Sequence, residues 1–167
     1  MTALRCYVGL GANEGDTIAT LDAAVEALRQ MQQCAFAAVS PYYRSEPIEA
    51  EGPDFTNAVA ALDTTMQPYA LLLSLFDIEL RLGRRRRGPE AKLKASRRVD
   101  LDLLLYGPLL MRSTPLALPH PRLHQRAFVL RPLLDLAPDI ELPGLGPAAA
   151  LLAALPPQRV ERLGAAG

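Results

Sequence analysis

Tryptophan is absent from this 167-residue chain and aromatic residues make up only 5% of it. Base-stacking platforms, which need exposed aromatic faces, are therefore poorly supplied. Cysteine occurs twice, as Cys6 and Cys34, too few for a disulfide framework or a four-ligand zinc site, and both are expected to be buried, reduced thiols. No apolar run approaches the roughly eighteen residues of a membrane span. The opening residues lack the apolar core of a secretory leader, and Glu14 and Asp16 interrupt the first apolar stretch. The expectation is a soluble, cytoplasmic protein with no membrane partner. Half of the residues are hydrophobic and 22% are charged, which excludes intrinsic disorder. At this length one domain is expected, able to bury about 70% of the unfolded chain's surface.

The charges cancel overall, 18 basic against 18 acidic, but not locally. Between Arg81 and Arg98 there are nine basic residues and one acidic residue, Glu90, a net +8 that leaves −8 for the rest. Such a field draws polyanions. Directly after it comes VDLDLLLYG, residues 99–107, which reads as a buried strand ending at Gly107-Pro108. Alternation along a strand puts Asp100 and Asp102 on the same face, about 6.6–7 Å apart. Two such carboxylates repel each other and are costly to leave unpaired. Pairing with Arg97 and Arg98 is one remedy. A magnesium ion, bridging to phosphate oxygens while guanidiniums take the remaining charge, is the other, and the arginine cluster favours it.

Residues 4–10 read as a first strand. Glycines 9, 11 and 15 miss the G-x-G-x-x-G spacing because position 14 is glutamate, and no G-K-[ST] follows, so dinucleotide and P-loop chemistry are disfavoured. Asp16 is a good N-cap for a helix over 17–31, with Ile18, Leu21, Val25, Leu28 and Met31 as its apolar stripe. Strands are expected over 35–44 and 55–64. A helix over 68–82 follows, with Pro68 in its first turn and Gly83 as its stop. Glu79, on the last turn of that helix, is either solvated, salt-bridged to the arginines or bonded to a ligand. Residues 109–128 read as irregular, 131–136 and 147–155 as short helices, and the last dozen as frayed. His120, held between two prolines, sits on a stiff loop beside Arg122 and Arg126, which points to phosphate contact as readily as to a structural role. Strand, helix, two strands, helix, strand suggests an α+β sandwich with a mostly antiparallel sheet.

Taken together these stretches resemble the 6-hydroxymethyl-7,8-dihydropterin pyrophosphokinase (HPPK) family. YVGLGANEGD near the start, YYRSEP at 42–47, GPDFTNAV at 52–59 and IELRLGRRR at 78–86 carry the resemblance. VDLDLLLYG at 99–107 and LPHPRLHQRAFVLRPLLDLAPD at 118–139 continue it in the family's order. The resemblance implies a ferredoxin-like α+β fold in three layers. It also implies transfer of pyrophosphate from ATP to the hydroxymethyl group of the pterin, releasing AMP, in folate biosynthesis. Two magnesium ions would be held by Asp100 and Asp102. Arg84, Arg86 and Arg97 would handle the phosphates, and Glu79, Leu103, His120 and Arg126 would contact the nucleotide. The pterin would lie against Gly11, the Ser45-Glu46-Pro47-Ile48 loop, Phe55 and Phe128, with Asn57 bonding its polar edge. Asn57 both donates and accepts, as the mixed edge of a pterin requires; from the residues alone, both phenylalanines are more readily core.

The chain's main departure from the family lies just before the D-x-D strand. Where the family writes R-W-G-P-R before its D-x-D strand, residues 87–98 read RGPEAKLKASRR, longer and without tryptophan, so that Arg97 and Arg98 compete for one role. Glu14 replaces a commonly apolar residue. Two rival readings remain: a family member that binds its ligands but has lost catalysis through the altered loop, and a small nucleic-acid-binding module built on residues 81–98. The enzyme reading expects small-molecule partners, no nucleic acid and a monomer.

Overall fold

The computed structural model describes residues 2–48, 51–83 and 98–164. The chain runs β1 (Leu4–Ala12), α1 (Thr17–Arg29), β2 (Cys34–Val39), β3 (Tyr43–Ser45), β4 (Phe55–Thr64), α2 (Pro68–Gly83) and β5 (Asp100–Tyr106). It continues with a small hairpin, β6 (Met111–Arg112) and β7 (Ala117–Leu118), a 3-10 turn over Leu123–Gln125 and α3 (Ala127–Leu136). A second hairpin, β8 (Glu141–Leu142) and β9 (Gly146–Pro147), then α4 (Ala148–Ala153) and β10 (Val160–Arg162) complete it.

Five strands form one path, β10-β3-β4-β1-β5, with β2 sharing the β3 edge of β4, and every ladder in it is antiparallel. Strand alternation splits the sheet's side chains between two cores. Cys6, Val8, Leu10, Ala58, Ala60, Leu62, Leu101 and Leu103 face α1 and α2, where they meet Leu21, Leu28, Leu71, Leu75 and Ile78. Tyr7, Val59, Ala61 and Leu104 face the other way and meet Val129, Leu130 and Leu133 of α3 and Ala148 of α4. Each fully buried leucine contributes about 1.5–3 kcal/mol. The result is the three-layer, ferredoxin-like α+β sandwich expected, with helices on both faces of an antiparallel sheet.

Several boundaries differ from the sequence reading, each for a physical reason. Asp16 caps α1 as expected, its side chain accepting the Ala19 N–H at 3.0 Å. Ile18, however, is 49% exposed, because the stripe that packs is Leu21, Ala24, Val25 and Leu28. The strand expected over 35–44 is broken at Pro41, which has no N–H for the ladder. Ser40 spans the break: its N–H donates to the Val59 carbonyl at 2.9 Å and its hydroxyl accepts the Val59 N–H at 3.0 Å. Gly83, expected to stop α2, is itself helical, and the residues after it lie outside those described. The third helix starts at Ala127, not 131; Pro132 removes the N–H that would bond Phe128's carbonyl, yet burial of Val129, Leu130 and Leu133 outweighs the loss. Residues 109–128, read as irregular, contain the β6–β7 hairpin and the 3-10 turn. The end of the chain does not fray at Val160–Arg162, which pairs with β3 as β10. Both cysteines are free thiols, Cys6 buried and Cys34 half-buried. Among the described residues no helix is long and apolar enough to cross a membrane.

Candidate active site

Among the described residues, the second face of the sheet is covered at one end by α3 and α4. At the other end the antiparallel register lines up Asn57 of β4, Gly11 of β1 and Asp100 of β5 in one row, and Val59, Gly9 and Asp102 in the next. Residues paired this way share a face, so two glycines leave bare main chain between an amide on one side and two carboxylates on the other. The space is real but tight: a Cβ on Gly11 would sit 3.2 Å from Asn57 Oδ1, and one on Gly9 would touch Leu104 at 3.4 Å.

This floor opens into a cavity of about 540 Å³. Its walls hold Phe55 at the start of β4, Ser45 through Ile48 after β3, and Gln125, Arg126, Phe128 and Val129 from the 3-10 turn and α3. Asn57 is 4% exposed, and its Nδ2 donates to Ser45 Oγ at 2.6 Å, leaving the amide oxygen and one N–H for a ligand. Both phenylalanines line the cavity and are only half-buried, Phe128 also packing against the second core. Arg126 lies 5.5 Å from the Phe128 ring centroid, a cation–π contact that holds both side chains against the cavity.

Asp100 and Asp102 project from the same face of β5 as expected, alternating with buried Leu101 and Leu103, and both line this cavity. Neither forms an ion pair among the described residues. The protein around Asp100 raises its pKa above the usual carboxylate range by desolvation first and by the Asp102 charge second, although its outer surface is open to water, with Arg98 opposing. Glu79 is raised too, chiefly by burial, with Asp100 and Asp102 adding to it. Its carboxylate accepts the Leu101 N–H at 2.7 Å, which ties the outer edge of β5 to α2. Beside Glu79, Arg98 and Asp100 line one further recess.

A second cavity of about 490 Å³ adjoins the first and shares Asp102, Arg122 and Arg126 with it. Leu72 and Phe76 of α2, Leu103, the 113–117 loop and His120 form the rest of its lining. His120 is seated by its own N–H, which bonds the Leu104 carbonyl on the outer edge of β5 at 2.9 Å. Its Nδ1 accepts the Arg122 N–H at 3.2 Å, so a neutral ring carries its proton on Nε2. Burial lowers the pKa of His120; Asp102 opposes that shift, and Arg126 and Arg122 reinforce it. Burial likewise lowers Arg126, against the attraction of Asp102.

The structure therefore brings Gly11, Ser45, Glu46, Ile48, Phe55, Asn57, Asp100, Asp102, Arg126 and Phe128 to one cavity. Leu103 and His120 meet Asp102 and Arg126 at the second. Arg84, Arg86 and Arg97 lie outside the described residues. Gly9, Gln125 and Val129 of the first cavity, and Leu72, Phe76 and the 113–117 loop of the second, were not singled out from the sequence. Only Gly9 carried a signal, its i+2 spacing from Gly11 on a strand.

A ferredoxin-like sandwich with two adjoining cavities, a carboxylate pair in the first and one of that pair, Asp102, at their junction, is an α+β protein with a site suited to group transfer. Residues 7–138 match the family described as 7,8-dihydro-6-hydroxymethylpterin-pyrophosphokinase (HPPK), and the chain belongs to it. It is 44% identical over 163 residues to the 2-amino-4-hydroxy-6-hydroxymethyldihydropteridine pyrophosphokinase of Pseudomonas aeruginosa, covering 95% of this chain and 96% of that one. The protein of the same name from Haemophilus influenzae is 36% identical over 141 residues, 84% of this chain and 86% of that one. Among solved structures, Plasmodium falciparum HPPK-DHPS wild type with pteroate superposes with a TM-score of 0.72 at 12% identity, covering 90% of this chain and 44% of that one. That likeness shows the fold alone, and the chain spans less than half the length of that structure's chain.

Proposed function

We propose that this protein transfers the pyrophosphoryl group of ATP to the hydroxyl of 6-hydroxymethyl-7,8-dihydropterin and releases AMP. The observation that carries this reading is the junction of the two cavities at Asp102, Arg122 and Arg126, which lets two ligands meet end to end. The pterin occupies the glycine-floored cavity between Phe55 and Phe128. Asn57, pre-oriented by Ser45, reads its polar edge. The nucleotide occupies the second cavity, with its phosphates directed at the junction. There the substrate hydroxyl oxygen attacks the β-phosphorus and gives up its proton to solvent, the bond from that phosphorus to the α,β-bridging oxygen breaks, and AMP leaves with that oxygen. Arg122 and Arg126 offset the phosphate charge, joined in this reading by Arg84, Arg86 and Arg97.

The residues present fit magnesium. Two carboxylates without ion-pair partners among the described residues share one cavity, and the repulsion between them contributes to the raised pKa of Asp100. Among the described residues no group of three or more His, Cys, Asp or Glu could hold a metal by itself. Asp100 and Asp102 would therefore share two ions with phosphate oxygens and water, the coordination this cation prefers. Bound there, the ions would supply charge neutralisation along the triphosphate. What this chain's own residues do is align the two ligands and offset their charge, which is most of catalysis in phosphoryl transfer.

The test is AMP formation from ATP, magnesium and the hydroxymethyl-dihydropterin. Asp102→Asn keeps shape and removes charge; kcat should fall by about 10²–10³ while metal-free pterin binding persists. Turnover close to wild type in Asp102→Asn, or no AMP from the wild type, overturns the reading.

A further inference from the structure

We propose that the segment following α4, from Gln158 to Leu163, is a clasp that sets the width of the pterin cavity, with Gln158 and Arg159 as positioning residues. The inference deepens the pyrophosphokinase reading and rests on it. Neither side chain lines the cavity. Each of its fasteners instead ends on a different wall.

Gln158 holds the Phe128 wall. Arg126, at the N-cap of α3, offers that helix no side-chain acceptor, so the first-turn N–H groups need one from elsewhere. Gln158 Oε1 accepts the Ala127 N–H at 2.9 Å, and Gln158 Nε2 donates to the Gln125 carbonyl at 3.0 Å. One amide thus bridges the 3-10 turn and the helix start, fixing the backbone on both sides of Arg126 and next to Phe128. Arg159 holds the Phe55 wall. Its Nη2 reaches both carboxylate oxygens of Asp54, at 3.0 and 2.8 Å, and Asp54 precedes Phe55 in the chain. β10 holds the third wall: Val160 pairs with Ser45, Glu161 with Arg44 and Arg162 with Tyr43, and the Leu163 N–H bonds the Tyr42 carbonyl at 2.9 Å. Ser45 is the partner of Asn57.

Three walls contributed by distant parts of the chain are therefore referenced to one short strand. As a stability device the arrangement would be weak. The Arg159–Asp54 pair is exposed, and such pairs contribute only about 0–1 kcal/mol. As a positioning device it is effective, because a flat ring bound between two half-buried phenylalanines depends on their separation, and preorganised walls spare the ligand the cost of ordering them. The second cavity draws none of its lining from these walls except at Arg122 and Arg126, so nucleotide binding should be indifferent to most of the clasp.

The experiment compares Gln158→Ala, Arg159→Ala, Arg159→Lys and Asp54→Asn in the full chain. Readouts are the pterin Kd by fluorescence, the KM of each substrate and the melting temperature. Arg5→Ala, which breaks the Arg5–Asp63 pair away from the cavity, controls for general destabilisation. The clasp predicts a pterin Kd and KM about threefold to tenfold higher in Gln158→Ala and Arg159→Ala, the equivalent of one hydrogen bond's worth of preorganisation. In Arg159→Ala, whose pair with Asp54 does not reach the second cavity, the ATP KM should stay within about twofold, Arg159→Lys should recover most of the loss, and Arg5→Ala should lower melting without moving the pterin KM. Unchanged pterin binding in both the Arg159→Ala and Asp54→Asn variants overturns the clasp, even if Gln158→Ala proves too unstable to assay. So does a parallel rise in both substrates' KM in Arg159→Ala, or an equal rise in Arg5→Ala. A wild-type protein that fails to bind the pterin overturns the functional reading instead, which separates the two failures.

Discussion

Replacing Gly11 with alanine tests the floor of the site with one added methyl group. The new Cβ would lie 3.2 Å from Asn57 Oδ1, shorter than the 3.4 Å at which ordinary contacts begin. Asn57 cannot simply turn aside, because its Nδ2 is held by Ser45 at 2.6 Å and the residue is 4% exposed. The amide must therefore shift by a few tenths of an ångström, enough to spoil its bonds to a ligand edge. Losing most of two such bonds costs about 1–2 kcal/mol, a pterin Kd raised roughly 5- to 30-fold. Folding should register little, since Gly11 is not in the left-handed region and alanine meets no backbone strain there. Relieving glycine's chain entropy in a strand returns about 0.5–1 kcal/mol, which offsets much of the overpacking. The assay is isothermal or fluorescence titration with the pterin, beside a melting curve and the ATP KM. An unchanged pterin Kd with an unchanged melting temperature would show that Asn57 and the glycine floor take no part in recognition.

Two further predictions concern groups away from the site. Burial pushes the Cys6 thiol up to about 12, so at pH 8 only about one part in 10⁴ is thiolate; iodoacetamide should leave Cys6 unmodified in the native protein and label it after denaturation, as peptide mass spectrometry would read. Native labelling of Cys6 at the rate of an open thiol would contradict that burial. The hydrogen bond from Arg5 holds the Asp63 carboxyl below the usual carboxylate range, so its contribution to stability is complete above the unfolded-state pKa and fades as pH falls through the folded-state value. Solvent screening keeps that contribution under about 1 kcal/mol, and Asp63→Asn should narrow the difference in unfolding free energy between pH 7 and pH 3, read from denaturant titrations, by up to that amount, with a matching change in midpoint. A midpoint difference that the substitution leaves unchanged would remove the pair from the acid response.

The parts of the fold written in local patterns were legible. β4 runs over Phe55–Thr64 and α2 begins at Pro68 as the apolar runs and the proline indicate, and Asp16 caps α1. Strand alternation likewise placed Asp100 and Asp102 side by side. What escaped depends on distant partners. Val160–Arg162 is too short to read as a strand without β3 beside it, and Gln158 in a proline-rich stretch carries no pattern that names Ala127 or Gln125 as its partners. Pro132 signals a helix start locally, and only the core it packs into reveals the turn before it. The meeting of two cavities at Asp102 is a property of the assembled sheet, the 113–117 loop and α3 together.

Because Gly9 and Gly11 present main chain rather than side chains, an inhibitor resting on that surface would meet little that can be altered by substitution. Any bulkier residue at position 11 that displaced such a compound would crowd Asn57 and evict the natural substrate as well. If the pterin sits as proposed, the exposed Glu46 and Ile48 at the rim can change without crowding that floor, which makes the depth of a compound's seat a guide to its durability.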